Sequence, residues 1–353
     1  MSLQTELQLR HLPKILPDDT PWPIRRAEIQ KILEREIYGA IPPAPECVHA
    51  QILEEKAAYA GKAVRQQIAL TWDTPKGPFT FPFYLVVPKS EQPVPAVVHI
   101  SFSPLPDNDS SPMEELIDHG FAIAGFFYRD VANDTDDGFT SGLGPLYITA
   151  PRQPEDPGTI SLWAFAALRV LDYLLTRPEI CHEKIAVAGH SRLGKTALWA
   201  GACDTRFYAV YSNNSGCSGA AITRGKVGEN VQVISTNFPY WFCPNYQQYK
   251  GREDAMPFDQ HFLLALVAPR LLYVASAEED TWADPASEFL SAVEAGRVYT
   301  LLGVQPLVCE DRLPVPPDSY PDGRIGYHIR RGTHFLSRYD WDHFLNFLIR
   351  HNQ

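Results

Sequence analysis

The apolar residues of this chain fall into three patterns, and each predicts a different kind of element. Residues 24–38 (IRRAEIQKILEREIY) carry apolar positions at helical spacing with a charged outer face, and Gly39 with Pro42 and Pro43 stops the helix. Residues 62–87 alternate instead, as in VRQQIALTW and FTFPFYLVV, which predicts antiparallel strands. From residue 95 the pattern becomes short continuous apolar runs between helical segments. AVVHISF, EELIDHGF and AIAGFFY read as strand, helix, strand. ISLWAFAALRVLDYLL (160–175) is apolar almost all round, which predicts a buried helix. KIAVAG, AVYSNNSG, RLLYVASAEED and YHIRRGTHF supply four more strands, separated by helices or loops.

Strands that are apolar throughout and alternate with helices indicate a parallel sheet covered on both faces. The fold class is therefore α/β, with three layers around a mostly parallel central sheet. The 31 prolines lie among the connections, densest in PPAP and LPVPPDSYP, and none divides two units. One domain is expected over 1–353, with 1–45 as a helical lead-in and 95–350 as the catalytic core. Ligands on such sheets bind beyond the carboxyl ends of the strands. Ser191, Asn214, Asp280 and His334 each fall just past such an end.

The segment Lys184 to Ala200, KIAVAGHSRLGKTALWA, carries the sharpest chemistry. It reads as a buried strand, a tight turn and a helix. A serine in that turn stands exposed above the strand ends, where the turn and the helix start also aim backbone N–H groups. The same letters match the phosphate-binding pattern G-x-x-x-x-G-K-[ST] across Gly189, Gly194, Lys195 and Thr196. Serine hydrolase and P-loop nucleotide binding are thus both open. Against the second, His190, Ser191, Arg192 and Leu193 stand where phosphate loops favour small residues. Several strands also precede this one, and nothing in the nucleotide reading uses His334.

A serine nucleophile needs a general base, and the base needs a carboxylate to fix its tautomer. On sheets of this kind the chain order is serine, acid, histidine. Of the 11 histidines, His334 follows the last strand in a Gly-Thr-His turn and precedes a closing amphipathic helix. His261 opens an apolar helix and reads as structural, and the side chain of His190 points away from its neighbour Ser191. For the acid, Asp280 ends the strand LLYVASAEED. Asp284 is the next candidate, and Glu278 and Glu279 also compete. Arg192 places a guanidinium and a backbone N–H where an oxyanion would form. Lys195 either meets a sugar hydroxyl or lies on the helix surface. The turn departs from G-x-S-x-G, because Leu193 takes the fifth position and glycine follows one later, at Gly194.

Composition narrows the partners. Lys plus Arg is 31 against 42 Asp plus Glu, a formal charge of −11, with no basic cluster. Nucleic acid and anionic membranes are therefore not expected partners. The longest strongly apolar stretch, FLLALVA at 262–268, is far short of the roughly 20 residues that span a bilayer. The N-terminus lacks the apolar core of a signal peptide. The expected location is cytoplasmic as the chain stands, and secreted or periplasmic if a leader has been removed. The six cysteines (47, 181, 203, 217, 243 and 309) have no C-x-x-C pairing. Free buried thiols are expected, with no metal and no cofactor.

The form G-x-S-R-x-G-K resembles the glucuronoyl esterases, carbohydrate esterase family 15, and their bacterial members especially. SNNSGCSGAA (212–221), NFPYWFCPNY (237–246), MPFDQHFLLALVAPR (256–270), SAEEDTWADP (276–285) and GTHFL (332–336) agree in order, as does the N-terminal WPIRRAEIQKILEREIYGAIPP. The resemblance implies an α/β-hydrolase fold and a metal-free serine esterase. Its substrate would be the ester between 4-O-methyl-glucuronic acid on xylan and an alcohol, so the expected partner is a carbohydrate ester. Ser191 would be the nucleophile, His334 the base and Arg192 an oxyanion donor, with Lys195, Gln232 and Trp282 around the uronic acid. Fungal members take their acid from a glutamate at the place that holds Asn214 here. Other members carry it where Asp280 stands, which implies Asp280 as the acid. An acetylxylan or other carbohydrate esterase, or a hydrolase fold without activity, remains the alternative. Of the aromatic residues in these segments, Trp282 is the expected sugar contact, and Phe102, Tyr240, Trp241 and Tyr246 are weaker candidates.

Overall fold

In the computed structural model, which describes residues 1–17, 20–104, 108 and 110–352, one sheet runs through the molecule. Its strands are β1 (His49–Ala58), β2 (Ala63–Thr74), β3 (Gly77–Pro88), β4 (Val94–Ser101), β5 (Ala122–Phe127), β6 (Ile180–His190), β7 (Ala209–Asn213), β8 (Leu271–Ala277), β9 (Ser319–Tyr320) and β10 (Ile325–Arg330). They lie in the order β1-β2-β3-β5-β4-β6-β7-β8-β10-β9. The six central strands from β5 to β10 in that order are mutually parallel. The first three are antiparallel and extend one side of the sheet.

The continuous apolar runs are explained by two cores, one on each face. Along β6, Ile185 and Val187 enter the core beneath the helices Thr159–Leu174 and Arg192–Cys203. Ala186 and Ala188 enter the other, against Trp341 and Phe344 of the helix Arg338–His351. A strand that feeds both faces has no polar side to show. Helix Thr159–Leu174 is buried at every position except Asp172, so Leu162 and Leu171 each contribute roughly 2 kcal/mol by leaving water. The layering and the parallel sheet are those of an α/β-hydrolase fold.

The helix expected over 24–38 runs over Trp22–Leu33 and widens into a π turn at Glu34–Tyr38. It ends at Gly39 with φ +78°, where a Cβ would lie 2.5 Å from the Asp156 carbonyl oxygen, so only glycine fits. Strand β1 carries no readable alternation, because nearly all of its residues are exposed. Its backbone pairing with β2 makes it a strand. His261 donates from Nε2 to the Pro13 carbonyl at 2.9 Å and ties the lead-in to the core, which is a structural role. All six cysteines are free thiols; Cys217 and Cys243 are buried, Cys181, Cys203 and Cys309 are half-buried, and Cys47 is exposed, so the expectation of buried thiols fails outright at Cys47 alone.

Candidate active site

Ser191 stands alone between the end of β6 and the helix that begins at Arg192. Its φ of 58° and ψ of −128° are a rare conformation for a residue with a side chain, a strain of order 1–3 kcal/mol. Gly189 makes the turn possible, since a Cβ there would lie 2.1 Å from the Leu193 carbonyl oxygen. The Ser191 N–H donates to the Asn213 carbonyl at 2.9 Å and pins the turn to β7. This geometry removes the nucleotide reading. Residues 192–196 are already helical, Thr196 is buried and donates to the Arg192 carbonyl at 2.9 Å, and no open loop is left to cradle a phosphate.

The structure brings three of the expected residues into one hydrogen-bonded line. Ser191 Oγ lies 2.8 Å from His334 Nε2, and His334 Nδ1 lies 2.6 Å from Asp280 Oδ2. The Asn214 amide donates to the same Asp280 oxygen at 2.8 Å, and the Ala283 N–H reaches Oδ1 at 3.2 Å. Burial acts to raise the Asp280 carboxyl pKa. The bonds from His334, Asn214 and Ala283 outweigh it and hold the group below its ordinary range. Asp284 is elsewhere: it caps the helix Pro285–Leu301, accepting from the Ser287 N–H and hydroxyl and from the Val227 N–H. Glu278 and Glu279 are exposed. His190 bonds Asn213 Oδ1 at 2.6 Å, and burial followed by the nearby His334 pushes its pKa down to about 3. A neutral ring therefore packs beside His334, 4.5 Å away between centroids.

The loop that carries His334 is gripped from below. Arg330 Nη2 donates to the carbonyls of Thr333 and Phe335, on either side of His334. Its Nε donates to Asp340 at 2.8 Å. Asp340 also accepts from His328 at 2.9 Å and from the Ser337 N–H and hydroxyl at 2.7 and 2.6 Å. Although burial opposes it, the bond from His328 and the charge of Arg330 hold the Asp340 pKa at about 2. Arg330→Met is accordingly expected to lower kcat by roughly 10- to 100-fold while KM stays within about 3-fold, since a misplaced base costs chemistry more than binding. Steady-state kinetics on any cleaved ester will check this.

Around the line lies a cavity of about 310 Å³. Phe238 and Trp241 form one wall, stacked at 3.9 Å between centroids, and Arg192 lies against Trp241. Asn214, Ser215 and Gly216 form the floor, and Trp282, 54% exposed, stands at the mouth. Lys195 is buried at the base rather than on the helix surface and donates to the Ser215 carbonyl. Burial lowers its pKa, and Glu229 works against that shift.

Gln232 is a correction. The helix Val231–Asn237, capped by Asn230, turns Gln232 out to solvent beside Gly251, away from the cavity. Glu229, just before that cap, lines the cavity instead, with its N–H donating to the Trp282 carbonyl at 3.1 Å. Of the other aromatic candidates, Tyr246 is core, Tyr240 is buried, and Phe102 is exposed beside Arg192. Among the described residues no group of three His, Cys, Asp or Glu side chains is placed to hold a metal. A second depression along Arg338–His351, lined by Ser319, His343, Phe347 and Arg350, shares no residue with this cavity.

Beneath the floor, Glu288 is fully buried. It accepts from the Gly216 N–H at 2.9 Å and the Ser276 hydroxyl at 2.6 Å, and burial pushes its pKa up to about 7. The folded protein therefore holds this proton more tightly than the unfolded chain does. The resulting stability is complete below pH 4.5 and is lost as pH rises to about 7, roughly 3 kcal/mol in all. Glu288→Gln is expected to flatten that slope, read as the change in urea midpoint between pH 5 and pH 8.

Comparison with known proteins places the chain in a family. A family model described as glucuronyl esterase, fungi, matches residues 73–303. The chain is 35% identical to Carbohydrate esterase MZ0003, of an unknown prokaryotic organism, over 93% of its own length and 84% of that protein. It is 26% identical to a 4-O-methyl-glucuronoyl methylesterase of Schizophyllum commune, over 80% of its length and 69% of that protein. The solved glucuronoyl esterase from Solibacter usitatus matches with a TM-score of 0.88 at 33% identity, over 96% of this chain and 97% of that one. A glucuronoyl esterase of carbohydrate esterase family 15 from Teredinibacter turnerae matches with a TM-score of 0.89 at 29% identity, over 99% and 90%.

Proposed function

The chain belongs to the glucuronoyl esterase family, and from that premise we propose that it hydrolyses esters of glucuronic acid, including its 4-O-methyl form, in plant cell-wall polysaccharide. The observation that carries the reading is the line Asp280–His334–Ser191 opening into a cavity that also holds Lys195, Glu229 and Trp282.

Ser191 Oγ attacks the ester carbonyl of the uronic acid while His334 Nε2 takes its proton. Asp280 holds Nδ1–H and stabilises the imidazolium, and Asn214 supports Asp280 in its ionised form. The oxyanion is met by the Arg192 guanidinium and by its N–H, a helix-start group with no intrahelical acceptor. His334 then gives its proton to the departing alcohol, leaving an acyl-enzyme. A water activated by the same imidazole cleaves it and restores Ser191. Lys195 and Glu229 supply a donor and an acceptor for sugar hydroxyls, and Trp282 offers a face for the ring.

An acetyl esterase needs only a small acyl pocket, whereas this cavity continues past the nucleophile to Glu229 and Trp282. The two readings separate on which variants matter. Trp282→Ala and Glu229→Ala should each lower kcat/KM for benzyl glucuronate by about 10-fold or more, the worth of one well-placed contact. Cleavage of p-nitrophenyl acetate by the same variants should change less than about 3-fold. Equal losses on both esters would remove the uronate reading of the cavity.

A further inference from the structure

We propose that Asp134 is a positioning residue for the reaction, fixing the orientation of the Arg192 guanidinium beside Ser191. The inference rests on the reading of Arg192 as an oxyanion donor.

Asp134 lies in the loop after β5, outside the cavity, with a side chain only 1% exposed. Each of its carboxylate oxygens accepts twice. Oδ2 accepts from the Tyr128 hydroxyl at 2.8 Å and from Arg192 Nη1. Oδ1 accepts from Trp241 Nε1 at 2.7 Å and from the Tyr240 hydroxyl at 3.2 Å. The single Tyr240 O–H is shared between that oxygen and the Asp134 carbonyl at 3.1 Å, so one group touches both side chain and backbone. Trp163 Nε1 anchors the same loop at the Ala132 carbonyl, 3.0 Å away.

The consequences fall on Arg192. Its guanidinium lies 4.7 Å from the Trp241 ring centroid and 5.7 Å from those of Phe238 and Phe102. Aromatic faces constrain the plane, and Asp134 fixes one end within it. Trp241 serves both purposes, since the ring that faces the guanidinium also donates to its anchor. Arg192 Nε is buried and meets no acceptor in the protein. The side chain as a whole stays 27% exposed and lines the cavity, so a guanidinium fixed at Nη1 by a buried carboxylate keeps an open side for an acceptor that arrives later. Electrostatic stabilisation of an oxyanion depends on such donors being in place before charge develops.

Two effects of Asp134 oppose one another. Its negative charge weakens the field that Arg192 projects, and its bond keeps a flexible side chain from rotating into solvent. Four converging donors at full burial point to orientation as the stronger effect. The sign of one substitution decides between them: removing the charge raises kcat if field strength dominates and lowers it if orientation does.

The experiment is a double-mutant cycle on benzyl glucuronate with Asp134→Asn, Arg192→Ala and both together. The expected result is a fall in kcat of roughly 100-fold for Arg192→Ala and roughly 10-fold for Asp134→Asn, with KM changed less than about 3-fold. The double variant should be no slower than Arg192→Ala alone. Independent multiplication of the two losses, or a rise in kcat for Asp134→Asn, would overturn the proposal. Should Arg192→Ala itself lose nothing, the oxyanion reading fails and the proposal falls with it, an outcome distinct from independent losses at the two positions. A second measurement stands if Asp134→Asn does not fold. Added guanidinium should rescue Arg192→Ala saturably while Asp134 is intact, and absence of rescue counts against the clamp.

Discussion

Ser191→Ala is expected to lower kcat on glucuronate esters by about 10⁶-fold, the scale at which removal of a nucleophile erases triad chemistry. The cavity should survive, because the contacts that shape the turn are made by the Ser191 backbone and by Gly189, and alanine preserves both. The variant should therefore still bind substrate. Calorimetric titration of the variant with methyl glucuronate would then give a dissociation constant near the wild-type KM for that ester. Loss of binding together with turnover would mean that the serine organises the pocket instead of attacking the ester. Its strained φ of 58° supports the first expectation, since such strain persists where a side chain must be aimed.

Asp280→Asn is expected to cost about 10⁴-fold in kcat, because an amide facing His334 Nδ1 favours the wrong tautomer and leaves the imidazolium without a counter-charge. Two of its supporting donors, Asn214 and the Ala283 N–H, would then face a group no longer charged. Asp284→Asn, four residues away, should leave kcat within about 3-fold, since asparagine caps a helix about as well as aspartate. The pair of variants separates two carboxylates that the sequence offers with equal chemistry. Kinetics at saturating substrate with a fold check by circular dichroism is sufficient. The reverse ranking would move the acid to Asp284 and require the loop 280–284 to rearrange.

The sheet was legible because its strands supply two cores, and a run such as IAVA has few other uses. The three residues of the hydrogen-bonded line Asp280–His334–Ser191 stood out because each follows such a strand. Strand β1 was not legible, as an exposed edge strand has no side that must be apolar. Polar supports were hidden for a different reason. Asp134, Glu229, Glu288 and Arg330 are single charged residues in loops, a helix or at a strand end, and their meaning lies in partners that no sequence pattern pairs with them. Asp134 meets Arg192 across 58 positions and Trp241 across 107. No local pattern distinguishes such a residue from a solvated carboxylate. Gln232 differs again: it falls between two of the segments that carry the resemblance, and on the helix Val231–Asn237 it is exposed.

Cleavage of benzyl glucuronate beside p-nitrophenyl acetate, by wild type and Ser191→Ala, tests the central claim most directly. The account predicts serine-dependent release of benzyl alcohol with a kcat/KM at least about 100-fold above that for the acetate, two well-placed contacts at a factor of ten each. Cleavage of the acetate alone, or turnover of the glucuronate that survives Ser191→Ala, would contradict it.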